Sequence, residues 1–148
     1  MKKNKLFAFL LFTCISFTAG AQVTWNFTAK SLGNNTWELH CTATIGAGWH
    51  IYSQFTPDGG PVPTELTFSP NPILEKQGVA KEQGKLEQHN EPLFGVDVKQ
   101  FSNKVDFIQS VKIRAKVKTS VTGKLKYMAC NDSQCLPPKE VPFNITLQ

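Results

Sequence analysis

The sequence predicts an all-β fold, an immunoglobulin-like antiparallel β-sandwich, and three observations carry that prediction. Apolar residues alternate with polar ones at period two in run after run, no segment sustains a helical period, and Gly- and Pro-containing turns separate the runs. The alternation begins only after residue 22. Before it, Met-Lys-Lys-Asn-Lys leads into the apolar run Leu6 to Phe12, and the stretch closes on the small residues Ala19-Gly20-Ala21. A charged start, a short apolar centre and an A-x-A end form a secretory signal peptide. Residues 1–21 are therefore expected to be removed, leaving one domain over 22–148. Thr13 precedes Cys14 where acylation would require a small residue, which sets a lipid anchor aside.

The first strand is expected at Val23, Trp25, Phe27 and Ala29. The second is clearer: Trp37, Leu39, Cys41, Ala43 and Ile45 are apolar, while Glu38, His40, Thr42 and Thr44 point the other way. Gly33-Asn34-Asn35 joins the two. A short third strand carries Leu66 and Phe68 and stops at Pro70-Asn71-Pro72, where missing backbone donors end pairing. A polar middle section follows. Alternation returns at Val105 and Phe107 and again at Val111, Ile113, Ala115 and Val117. Two last runs, Val121 to Ala129 and Val141 to Leu147, read as a closing antiparallel pair around a Pro-containing loop.

Composition excludes several function classes. Without Lys2, Lys3 and Lys5 the formal charge falls from +5 to +2, so most of the basicity belongs to the signal. One Arg and no basic cluster interleaved with aromatics leave nucleic-acid binding without its electrostatic footprint. No later segment approaches the roughly 20 apolar residues that cross a bilayer, so no stable membrane insertion is expected. A chain of this size builds a core without structural metal or many disulfides, and cysteine use can be read as chemistry.

Cys130 and Cys135 flank Asn131-Asp132-Ser133-Gln134, near the tip of the last hairpin. In an oxidising compartment a pair so close in sequence is expected to form a disulfide. It could simply staple the hairpin, which is the commoner role in secreted domains. Against that, a loop this short removes only about 2 kcal/mol of denatured-state entropy, compared with about 4.7 for a 100-residue loop. An exposed tip also leaves the bond within reach of an attacking thiolate. The C-x4-C spacing is neither a CxxC redox motif nor half of a zinc pattern, and no second ligand pair accompanies it, so neither metal nor cofactor is expected.

The segment from Cys130 through Cys135-Leu136-Pro137-Pro138 resembles the cysteine region of the DsbD N-terminal domain family. Gly48-Trp49-His50-Ile51-Tyr52-Ser53 resembles that family's aromatic strand end, and Asn90-Glu91-Pro92-Leu93-Phe94-Gly95 its cap loop. The resemblance implies a periplasmic immunoglobulin-like domain whose cysteines take electrons from a membrane-embedded or thioredoxin-like donor and pass them to oxidised clients. Residue by residue it makes Cys130 and Cys135 the redox pair and Leu93 and Phe94 shields. Glu91 and Gly95 complete the cap, and Trp49, Tyr52 and Asp132 become neighbours of the pair. Better-known members carry one more residue between the cysteines and continue into a transmembrane section and a thioredoxin-like domain. A chain ending at Gln148 would borrow its electron source.

The remaining candidates have plainer readings. Cys41 is expected in the core and His40, His50 and His89 on the surface, although His50 and His89 could approach the thiols. Loop carboxylates such as Glu91 and Asp132 are usually exposed. The rival to a redox carrier is a non-enzymatic immunoglobulin-like binding module with a permanent disulfide. A third possibility is a carrier dedicated to cytochrome c or outer-membrane protein maturation. The oligomeric state does not follow from the sequence.

Overall fold

The computed structural model describes residues 22–148, so the predicted signal peptide and its cleavage position lie outside the described residues. Among the described residues nine strands run in order: β1 (Val23–Gly33), β2 (Thr36–Ile45), β3 (His50–Tyr52), β4 (Glu65–Phe68), β5 (Leu74–Glu91), β6 (Val96–Ile113), β7 (Thr119–Tyr127), β8 (Ala129–Cys130) and β9 (Lys139–Leu147). All pairings are antiparallel, and among the described residues there is no helix. The all-β sandwich expected from the alternation is what the chain forms.

Asn34 and Asn35 turn β1 into β2 with φ of 50° and 60°. Two consecutive positive φ angles are what a two-residue hairpin turn demands, and Asn tolerates them. The odd residues of β2 then face inward and meet β6 in register, Cys41 opposite Phe107 and Ala43 opposite Val105. On its other edge β6 carries β5 along almost its whole length, and past the end of β2 it pairs with β3. The second sheet has the order β4-β7-β9. Leu39, Val105 and Phe107 from the first sheet and Leu125, Phe143 and Leu147 from the second share one buried core. That burial is the main driving force for closing the sandwich.

Two departures from the sequence reading matter for the site. The polar middle section, to which the sequence reading gave no element, forms β5 and the first half of β6, a hairpin that reaches from the main core to a smaller cluster around Cys130. β5 pairs with a single neighbour and is mostly exposed, and its register shifts between Gln77 and Lys81 and between Gly84 and Leu86. Each shift erases the period-two signal. Gln109, fully buried, offsets the first irregularity by donating to the carbonyl of Gln77 at 3.1 Å. Conversely, Ala115 and Val117 do not continue β6, which ends at Ile113.

The run Val121 to Ala129 is also not one strand. It is interrupted at Met128, after which β8 leaves the second sheet and pairs with β3 of the first, setting Ala129 against Ile51 and Cys130 against His50. This change of sheet places the first cysteine beneath the β5–β6 hairpin.

Candidate functional site

Cys130 and Cys135 are joined by a disulfide. The four-residue loop between them is braced from within. Asn131 Oδ1 accepts from the amides of Ser133 and Gln134, both at 2.9 Å, and the Asn131 amide donates to the Gln134 carbonyl at 2.9 Å. Leu136 N–H donates to the Ala129 carbonyl at 2.9 Å, so the return strand is fixed beside β8. The bond is not uniformly exposed as a hairpin tip would suggest: Cys130 is fully buried and Cys135 is half-buried. Of the two cysteines, Cys135 is therefore the less buried.

A small apolar cluster separate from the main core surrounds the bond. Tyr52, Val98 and Cys130 form its buried centre, and Phe94, Val96, Met128 and Cys135 pack against it. Phe94 and Val96 come from the end of the β5–β6 hairpin, where the turn is tied by Phe94 N–H and Gly95 N–H donating to the Glu91 carbonyl at 3.1 and 2.7 Å. Gly95 has φ 68°, a value that an L side chain adopts only with strain. Leu93 projects from the turn and is exposed, whereas Phe94 turns inward toward the disulfide cluster. Trp49 is elsewhere: it packs against the main core, on the opposite face of the chain from its neighbour His50.

Beside the cluster lies a buried polar group that the sequence reading placed at the surface. Glu91 and His50 are both buried, against the expectation of a loop carboxylate and a surface histidine. Tyr52 Oη donates to Glu91 Oε2 at 3.1 Å, Leu93 N–H donates to Glu91 Oε1 at 3.4 Å, and His50 Nε2 lies 3.1 Å from Tyr52 Oη and 3.4 Å from Glu91 Oε2. His50 and Tyr52 alternate onto one face of β3, and His50 stands opposite Cys130 on β8, so all three side chains share that face. Burial pushes His50 below its ordinary 6.5, with the Glu91 carboxylate opposing the shift. The Tyr52 hydroxyl is pushed upward by the same burial and by Glu91. The arrangement forms a chain of proton-holding groups next to a sulfur that water does not reach.

Asp132 is exposed within the cysteine loop, and His89 is exposed on β5 with its ring 6.4 Å from that of His50. His40 is held midway along β2 by Asp106, 2.6 Å from Nδ1. Cys41 is a free, fully buried thiol, and burial pushes it up to about 12. The sequence reading placed His50 at the surface while allowing it to approach the thiols, and did not single out Gln100 or Val98. The i, i+2 relation of His50 to Tyr52 was the one signal that could have placed His50. Gln100 could be found only once the β6 register was known.

Comparison with protein families matches residues 16–146 to the family described as thiol:disulfide interchange protein DsbD, N-terminal. Among solved structures, the chain is similar to the reduced DsbD N-terminal domain of Neisseria meningitidis. That likeness has 14% identity and a TM-score of 0.54, and covers 84% of this chain and 85% of the other. The N-terminal periplasmic domain of ScsB from Proteus mirabilis is similar at 15% identity and a TM-score of 0.53, over 82% of this chain and 44% of that one. A chain from the complex between the DsbD N-terminal and PilB N-terminal domains of Neisseria meningitidis is similar at 14% identity and a TM-score of 0.50, over 82% and 80%. At such identities the structural likeness speaks for the fold. No curated protein matches the chain.

Proposed function

The chain belongs to the DsbD N-terminal domain family, a thiol:disulfide interchange family, and from that premise we propose that it is an extracytoplasmic electron carrier working through Cys130 and Cys135. The observation that supports it most is the asymmetric disulfide, with Cys130 fully buried in the Tyr52–Val98–Phe94 cluster and Cys135 only half-buried at its edge. A purely structural bond gains nothing from a capping hairpin and a buried Glu91–Tyr52–His50 group beside it.

In the proposed cycle the Cys135 thiolate attacks one sulfur of an oxidised client. The client's S–S bond breaks, its second sulfur leaves as a thiolate, and a mixed disulfide forms. Cys130 then loses its proton and attacks Cys135 Sγ, which breaks the mixed disulfide, re-forms the Cys130–Cys135 bond and releases the client carrying two electrons. A reduced donor dithiol, membrane-embedded or of thioredoxin fold, reverses the sequence and restores the pair. Glu91, through Tyr52 and His50, takes up and returns the proton that Cys130 exchanges in an otherwise dry site. Phe94, on the turn closed by Gly95, shields the bond between encounters, whereas Leu93, expected to share that role, projects to the solvent side of the turn. Removal of residues 1–21 would deliver the 22–148 domain to the periplasm. A structure of the related DsbD domain in complex with the PilB N-terminal domain supports a partner protein as the other half of the exchange.

The test is the equilibrium potential of the pair in dithiothreitol and glutathione buffers, with mass spectrometry identifying the cysteines that react. Structural disulfides in secreted proteins lie below about −300 mV, and exchanging ones are less reducing. A potential above that limit, with Cys41 unreactive, is the expected result. A pair that stays oxidised far below it would leave a binding module with a permanent disulfide as the better account.

A further inference from the structure

A narrow cleft of about 240 Å³ opens beside the disulfide, between the β5–β6 hairpin and the cysteine loop. Glu91 and His50 line one side, Asn131 and Asp132 the other, and Gln100 and His89 complete it. This is smaller than the roughly 300–1,000 Å³ of ordinary small-molecule pockets. Its size suits one protruding side chain.

The cleft's polarity is one-sided. Gln100 is 4% exposed and its Oε1 is buried without a hydrogen-bond partner, an acceptor with an unmet demand on the wall of an open cleft. Such orphans are costly and rare in native proteins. Two carboxylates accompany it, and among the described residues no Lys or Arg lies within ion-pair distance of either; the partner of Glu91 is His50. His50, its proton affinity lowered by burial, lines the cleft beside Glu91, and His89 stands at the exposed margin. No three His, Cys, Asp or Glu side chains among the described residues converge to hold a metal ion. The unmet groups are therefore the Gln100 acceptor and the Asp132 anion, with the already partnered Glu91 beside them, an arrangement that suits an N–H-bearing cation.

We propose that this cleft receives a lysine or arginine side chain that a redox partner carries beside the cysteine it bonds to Cys135. The inference rests on the exchange reading above and specifies its partner. Asp132 lies inside the loop that both cysteines bound, so a cation held there sits next to the sulfurs while the mixed disulfide exists. Charge-assisted hydrogen bonds to Asp132, Glu91 and Gln100 would align the partner. They would also discriminate against partners with a neutral or acidic residue at that position.

The experiment uses the reduced protein and three symmetrical tetrapeptide disulfides that differ only in whether lysine, glutamine or glutamate follows the cysteine. Each reduction rate is divided by the rate of the same peptide with dithiothreitol, which removes the intrinsic effect of charge on the leaving thiol. The expected normalised preference for lysine over glutamine is about tenfold, with glutamate below glutamine. In Asp132→Asn the lysine preference should fall several-fold, and it should shrink as salt rises from about 0.05 to 0.5 M. Equal normalised rates for the three peptides, or a lysine preference that survives both Asp132→Asn and high salt, would overturn the cleft while leaving thiol exchange standing. Failure to reduce any of the peptides would remove the exchange reading and the inference with it.

Discussion

At the scale of single residues, two buried titratable side chains tie stability to pH in opposite directions. His50 titrates below its ordinary 6.5 in the folded protein because burial disfavours the imidazolium. The unfolded chain therefore takes up this proton first as pH falls. Its contribution to stability is intact above about pH 6.5 and is lost through the window below, at no more than about 1.4 kcal/mol per pH unit. Urea midpoints between pH 7.5 and 5 should show this slope flattened in His50→Gln. Cys41, pushed from 9.0 up to about 12, behaves in the mirror sense: above pH 9 the unfolded chain releases a proton that the folded one keeps, so stability declines toward pH 12. Cys41→Ala should reduce that alkaline decline, leaving the part that Tyr52 and Tyr127 contribute through their own raised values, and Cys41 in the folded wild type should resist iodoacetamide at pH 8. The same two residues illustrate what a sequence reveals. Cys41 sits mid-alternation among Leu39 and Ala43, so its burial was legible, whereas the burial of His50 depends on a carboxylate 41 positions away.

At the scale of elements, the hairpin made by β5 and β6 is what turns a sandwich into a capped disulfide. Its turn depends on Gly95, whose φ of 68° is allowed for glycine and costs an L side chain on the order of 1–2 kcal/mol. Gly95→Val should open the closed turn and speed reduction of the disulfide by dithiothreitol by up to about tenfold, with the main core unaffected; unchanged reduction kinetics would show that the turn does not govern access. This hairpin was the least legible part of the chain. β5 is a one-sided, largely solvent-exposed strand with two register shifts. In β6 the buried positions change parity, from Val98 and Gln100 to Phe101 and Val105, around Asn103 with φ 65°. Strands recognised through the alternation of a half-buried face vanish from view when that face is absent or interrupted.

At the scale of the whole molecule, the disulfide contributes little to holding the sandwich together. Its loop spans a sequence separation of 5, and the chain-entropy model assigns such a loop about 2 kcal/mol. The core shared by the two sheets supplies the bulk of the stability and does not include the bond. The reduced protein should consequently remain folded, with a denaturant-unfolding free energy about 2 kcal/mol below that of the oxidised form. Unfolding on reduction would mean that the bond is structural. A domain that keeps its shape in both redox states meets the first requirement of a carrier.

What the sequence determined by itself was local: the β class from period-two alternation, the β1–β2 turn from consecutive Asn residues, the β7–β9 pair, the buried Cys41, and a disulfide between cysteines too close to avoid one another. The residues proposed as cap and redox pair were singled out through motif resemblance, because those stretches are contiguous in the chain. Only the tertiary structure decided that Cys130 is fully buried while Cys135 is only half-buried, that Glu91 and His50 are buried together, that Trp49 belongs to the core, and that Gln100 is left with an unmet acceptor. Each of these depends on register between strands distant in sequence, on the interruption at Met128 and on the register shifts between β5 and β6. Period and composition do not encode which residue faces which across a sheet, and this site is built from such pairings.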